Sequence, residues 1–185
     1  MMEKLNPTAR RDLFGSKINR DHSPAFVYGV PWLSIVLASL VPMLPVLAPA
    51  PVVPPLSFMF LLGWRLLRPG LLPLWAGFPL GLIDDLLSGQ PLGSSVLLFS
   101  LTLIALDLFE LRFPWRGFWQ DWIVASVLIT LFLLFSAMLS GAKLDLLHFW
   151  LLAPQLLLSV LLFPIIVGAV TVLDRLRLLR VRRID

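Results

Sequence analysis

The chain has 185 residues, of which 58% are hydrophobic and only 14% charged, and its mean hydropathy is +0.90. A soluble domain is about 45–50% apolar and about 25% charged, so this chain has too little polar surface to coat a globule and reads as apolar spans. The lack of cysteine excludes disulfides, thiolate metal sites and cysteine nucleophiles, and the formal charge of +4 is concentrated at the two ends, as at a membrane face of anionic lipid.

Residues 1–24 are polar and basic, with Lys4, Arg10, Arg11, Lys17 and Arg20 against Glu3, Asp12 and Asp21. They read as a cytoplasmic leader; the interspersed Leu5, Leu13, Phe14 and Ile18 leave a surface-lying amphipathic turn open as an alternative. The leader is longer than a signal-peptide n-region. Ala48-Pro49-Ala50 resembles a cleavage site, but Pro51 follows it at once, so the first apolar run is expected to remain as a span.

A helix crossing the hydrocarbon core needs about 20 apolar residues, and six runs are candidates. The first covers Ala25 to Leu47, with Pro31, Pro42 and Pro45 arguing against one straight helix. The second starts at Val52 or Leu56 and ends at Leu67; it is short, closed by Arg65 and Arg68, and broken by Pro69-Gly70. The third runs from Leu71 to Leu87, the fourth from Ser94 to Leu111, the fifth from Trp122 to Leu139 and the sixth from Leu147 to Leu173. Residues 25–173 are thus a six-span membrane domain, and 174–185 a basic cytoplasmic tail. The expected fold class is an all-α integral membrane protein with both termini in the cytoplasm.

The orientation rests on the excess of Lys and Arg in cytoplasmic segments. With the N-terminus inside, the cytoplasmic segments hold five basic residues in the leader, Arg65 and Arg68, Arg112 and Arg116, and five in the tail (Arg175, Arg177, Arg180, Arg182, Arg183). Lys143 alone falls outside. Trp64, Trp75, Trp115, Trp119 and Trp122 flank the two cytoplasmic turns and read as interfacial anchors. The acidic pair Asp84-Asp85 and the turn Gly89–Gly93 fall at the outer face, while Asp107 and Glu110 fall at the inner face, where an ion cluster with the Arg112–Arg116 turn is expected.

The third run carries the densest set of unusual residues. Gly77 and Gly81 are spaced four apart and make a smooth face for a neighbouring helix, in this chain or in a partner. Asp84 and Asp85 follow along the same sector. Three readings of the carboxylates stay open: binding a cation or coupling protons, capping the amides of the Gly89–Gly93 turn and the next helix, or solvation at the boundary. Adjacent residues diverge by about 100° around a helix, which argues against one joint site. Gln155, beside Pro154, is expected to satisfy a carbonyl freed by the proline. The Arg-rich tail, which alternates with leucines, is read as binding anionic lipid or docking a cytoplasmic partner.

Enzyme signatures are absent: there is no HExxH, no GxSxG and no Ser-x-x-Lys within a run. His22 and His148 fall on opposite faces. The expectation is a non-enzyme without cofactor or metal, and without nucleic acid among its partners.

The stretch Gly81-Leu82-Ile83-Asp84-Asp85-Leu86-Leu87-Ser88-Gly89-Gln90-Pro91-Leu92-Gly93 resembles a pattern of the rod-shape-determining MreD family, Gly-Leu-x-x-Asp-Leu-Leu-x-Gly-x-x-Leu-Gly. Asp85 takes the family's acidic position. Size, six spans and cytoplasmic termini are similar too. The resemblance implies a non-enzymatic component of the cell-wall elongation machinery in the bacterial inner membrane, bridging a periplasmic scaffold and cytoplasmic or membrane partners. Implied partners are the scaffold MreC, the actin-like MreB, the glycan polymerase RodA and a penicillin-binding transpeptidase. From the chain itself, the residues assigned to structure or interaction are Gly77, Gly81, Asp84, Asp85, Gly89, Pro91 and Gly93, and the topology adds a basic cytoplasmic surface of Arg112, Arg116, Arg175, Arg177, Arg180, Arg182 and Arg183. The rival is a small solute-binding subunit of a vitamin-importer-like transporter, which needs an outward pocket; Asp84, Asp85, His148, Trp150 and Gln155 are its candidates.

Overall fold

The computed structural model describes residues 24–43, 53–112, 117–141 and 146–177. They form six helices: α1 (Pro24–Ala38), α2 (Leu56–Leu67), α3 (Gly77–Ser88), α4 (Ser94–Arg112), α5 (Phe118–Leu139) and α6 (Leu146–Arg177). Short 3-10 turns at Val41–Met43 and Leu74–Ala76 follow α1 and precede α3. No strand occurs among the described residues, and the fold is all-α as expected.

Around α2 the rest is wrapped. Phe58, Met59, Leu61, Leu62 and Trp64 of this helix are fully buried, and α1, α4, α5 and α6 all pack on it. The apolar residues run around every side of α2, which suits a helix enclosed by others. In its first turn, the Phe58 ring stacks on Phe132 of α5 at 4.2 Å and tilts against Phe99 of α4 at 5.7 Å. The outer helices instead turn leucines, isoleucines and valines outward, among them Leu101, Ile104, Val127, Leu157 and Ile165. Such an apolar exterior belongs in lipid, where it costs nothing.

α4, α5 and the Leu152–Arg177 stretch of α6 are each long and apolar enough to cross a bilayer alone. α2 covers Leu56–Leu67, the shorter of the two ranges expected for it, while α1 and α3 are shorter than expected. α1 stops at Ala38, not Leu47: Leu40 N–H bonds back to Leu37 O and Met43 N–H to Leu40 O, tightening the chain into a 3-10 turn, and Pro42 has no N–H to continue an α-helix. α3 begins at Gly77, not Leu71, because Pro73 and the 3-10 turn Leu74–Ala76 occupy the start of that run. α5 starts earlier than expected, at Phe118, where Gly117 N–H donates to Gln120 Oε1 (3.1 Å). α6 passes through Pro154 and Pro164 and reaches Arg177, four residues into the segment read as a tail.

α3 and α4 form the tightest pair. The Gly77–Gly81 face is covered by α4: a methyl group on Gly81 would lie 2.5 Å from Val96 Cα, and one on Gly77 would lie 2.8 Å from Ser100 Cα. The smooth face is therefore used within the chain.

The end of the bundle bearing Arg65 differs from expectation in several places. Arg65 is 2% exposed, and its Nη2 pairs with Asp107 (2.7 Å) and Glu110 (3.0 Å) of α4. The acids thus meet a cation from the centre of the bundle, a partner additional to the expected Arg112–Arg116 turn, most of which lies outside the described residues. Nearby, Arg68 Nη2 and Arg177 Nε both donate to Asp174 (2.8 and 2.6 Å). Because α6 stays helical to its end, Asp174 and Arg177 face α2, and Arg177 is 6% exposed. It is not part of a basic surface; Arg112 and Arg175 are exposed, and Arg116, Arg180, Arg182 and Arg183 lie outside the described residues, as do the leader 1–23 with His22, and Trp115. Trp64 is likewise no interfacial ring. It is fully buried, with Nε1 donating to Ser34 Oγ of α1 (2.8 Å) and the Arg177 guanidinium 5.6 Å over its ring. Trp75 and Trp119 are exposed, while Trp122 Nε1 ties α5 to Val160 O of α6 (3.1 Å).

Gln155 does not serve a proline-freed carbonyl of its own helix. Its Nε2 donates to Val53 O (2.6 Å), holding the chain just before α2. Gln155→Met is expected to lose about 1 kcal/mol, the worth of one neutral hydrogen bond, read as a lower midpoint in denaturant unfolding in micelles.

Candidate functional site

At the other end of the bundle, α3 closes on Gly89, whose φ of +70° is left-handed, and Gly93 has φ +97°. Both conformations are readily adopted only by glycine. With Pro91 between them the chain reverses quickly, so that α4 runs back along α3.

Acidic residues in the last turn of a helix face the negative end of its dipole, which disfavours them. Asp84 and Asp85 are placed there because each meets the start of another helix. Asp85, 2% exposed, accepts from Gly93 N–H (2.7 Å), Ser94 Oγ (3.0 Å) and Ser95 N–H (2.8 Å). It therefore takes up donors at the N-terminus of α4, which such termini leave without helical partners. Asp84, 4% exposed, accepts from Ser95 Oγ (2.9 Å) and also interacts with the hydroxyls of Ser57, in the first turn of α2, and Ser39, after α1. Both carboxylates meet the start of α4, and Asp84 reaches Ser57 of α2 and Ser39 as well. Neither is solvated, and neither pairs with a basic side chain among the described residues.

Gln90, inside the turn, has no role in the sequence reading. Its Oε1 accepts from Ser136 Oγ of α5 (2.9 Å) and, at 3.4 Å, from Ser94 Oγ. The turn is thus pinned from both sides, while Pro91, Leu92 and Gly93 at its tip are exposed and Leu92 is 73% accessible. The available signal was a side-chain amide enclosed between glycines, beside a proline, where the backbone alone cannot fix the loop.

Behind the turn lies a cavity of about 420 Å³, bounded by Pro54–Ser57, the end of α3, the end of α5 and the start of α6. It exists because the central helix begins only at Leu56 while its neighbours continue past it. Asp84, Ser57, Gln90, Ser136 and Gln155 supply its polar groups, and Phe132, Leu133 and Leu152 its apolar wall. Ser88 Oγ, also in the lining, is buried without a hydrogen-bond partner. Asp85 and Trp150 are not part of the lining. Among the described residues no three His, Cys, Asp or Glu side chains are grouped to hold a metal ion.

The structure therefore unites Gly77, Gly81, Asp84, Asp85, Gly89, Pro91 and Gly93 in one packed helix-turn-helix unit. Arg112, Arg175 and Arg177 are separate from it. In comparison with known proteins, the family model described as rod shape-determining protein MreD matches residues 25–176. No curated protein and no solved structure matches the chain.

Proposed function

The chain belongs to the MreD family of rod shape-determining proteins, and from that premise we propose that it is a non-enzymatic, multi-pass inner-membrane component of the cell-wall elongation machinery, joining a periplasmic scaffold to membrane and cytoplasmic partners. The family match over most of the chain is the observation that carries this reading. The family is one of shape-determining membrane proteins, not of known enzymes.

In this reading both termini are cytoplasmic, which the placement of Lys and Arg supports. The Gly89–Gly93 turn then faces the periplasm. Fixed by Asp85 on one side and by Gln90 and Ser136 on the other, it presents Leu92 as an apolar tip that needs no reordering on binding, and such preorganisation lowers the entropic cost of association. An MreC-like scaffold is the partner proposed there. MreB, RodA and a penicillin-binding transpeptidase are proposed for the other surfaces, with anionic lipid meeting Arg112 and Arg175.

Depletion of the protein in a rod-shaped host is expected to give rounded cells by microscopy. Leu92→Asp is expected to fold normally, fail to co-purify the periplasmic scaffold and fail to restore rods. Retention of the scaffold by that variant would remove the turn from the interface, and unchanged rods on depletion would sink the reading as a whole.

A further inference from the structure

We propose that the cavity behind the turn is a binding site for an ammonium group carried on an apolar body, with Asp84 as its counter-ion. The inference stands apart from the shape-determining role and rests on the charge, size and polarity of the lining. Among the described residues of the lining, Asp84 is the one formally charged group, and none is Lys, Arg or His. A carboxylate removed from water is costly unless paired and hydrogen-bonded. Hydroxyls of Ser95, Ser57 and Ser39 meet Asp84, and the start of α2 lies beside it. A helix N-terminus supplies only about half an elementary positive charge, so the lining remains negative.

Size argues against a bare metal ion as the natural occupant. At about 420 Å³ the cavity falls in the range of roughly 300–1,000 Å³ typical of small-molecule sites. Its wall of Phe132, Leu133 and Leu152 suits hydrocarbon, and Ser88 Oγ is a buried hydroxyl still lacking a partner. An ammonium ion offers several N–H donors, which fits a lining of carboxylate and hydroxyl oxygens. That no described lining residue is basic disfavours a ligand whose own anion must enter the cavity. The shared chemistry is a primary amine, supplied either by a soluble molecule or by the headgroup of phosphatidylethanolamine.

The full chain in phosphatidylglycerol nanodiscs, titrated with hexylammonium and separately with 1-hexanol, tests this. Hexylammonium is expected to raise the unfolding temperature well beyond hexanol, and Asp84→Asn to weaken its apparent affinity about tenfold or more, as loss of a charged hydrogen bond implies. Ala137→Trp takes up cavity space from the α5 wall while leaving Asp84 itself unsubstituted, and is expected to abolish the response; it decides the matter should Asp84→Asn fail to fold. Nanodiscs that include phosphatidylethanolamine separate the sources: a blunted hexylammonium response identifies the lipid headgroup, and an undiminished one a soluble amine. Equal protection by both probes in the wild type, or a hexylammonium effect that survives Asp84→Asn or Ala137→Trp, overturns the proposal.

Discussion

Asp85→Ala is expected to destabilise the protein by about 3 kcal/mol or more, because it strands two backbone amides at the start of α4. The carboxylate serves Gly93 N–H, Ser94 Oγ and Ser95 N–H, and a buried donor left unsatisfied costs about 1–3 kcal/mol. Ser94 Oγ retains Pro91 O at 2.8 Å, so the main loss falls on the two backbone amides. Asp85→Asn should fall between wild type and Ala, since its one remaining carbonyl oxygen still accepts from the start of α4. Unfolding in mixed micelles with the three proteins side by side checks this. An Ala variant as stable as wild type would mean that the turn finds another way to satisfy those amides. Loss of function through Asp85 is thus expected to follow loss of fold.

Gly81→Ala is expected to cost a further large amount, about 3 kcal/mol, at the upper end of the range for overpacking. Its methyl would stand 2.5 Å from Val96 Cα, 2.6 Å from Val96 N and 2.7 Å from Ser95 C. All three are backbone atoms, so no side chain can rotate aside; α4 itself must retreat, and Ser95 moves with it away from both carboxylates. Gly168→Ala is the control. It lies in α6 with nothing within 4 Å of the added methyl, and there the gain in helix propensity of up to about 1 kcal/mol acts unopposed. The two substitutions should therefore shift the unfolding midpoint in opposite directions. Equal shifts would mean that the α3–α4 contact is looser than described.

The sequence made the helical class, the membrane character and the six-element order legible, because each follows from local hydropathy and from punctuation by proline and glycine. The acid-bearing turn was visible for the same reason, as Gly89, Pro91 and Gly93 break the helix beside Asp85. What remained hidden was long-range. Trp64 and Arg65 look like residues at a membrane surface when only neighbours along the chain are counted, yet α2 is enclosed by four other helices. Burial of that kind depends on which runs surround which, and hydropathy does not encode it. Gln155 was matched to the nearest proline when its carbonyl partner is Val53, 102 positions away in sequence. The divergence of Asp84 from Asp85 is legible from helical geometry, but their recipients, Ser94 and Ser95 of α4 for both together and Ser57 of α2 for Asp84, required the packing.

The shortness of the central helix has an electrical consequence. At about 1.5 Å per residue, the 12 residues of α2 extend roughly 18 Å, against about 30 Å for the hydrocarbon of the surrounding bilayer. One end of α2 opens onto the cavity, and the other onto an ion cluster whose Asp107 side chain is 45% exposed. A transmembrane voltage falls across the least polarisable part of its path. Where the cavity holds water, that part is about 18 Å long through the middle of this protein against about 30 Å through lipid, and the field along α2 is correspondingly steeper. Asp84 stands at the edge of that drop. A charge held against it from the cavity side has crossed little of that drop, and only movement onward along α2 would engage it, at up to about 2.3 kcal/mol per 100 mV for a full crossing.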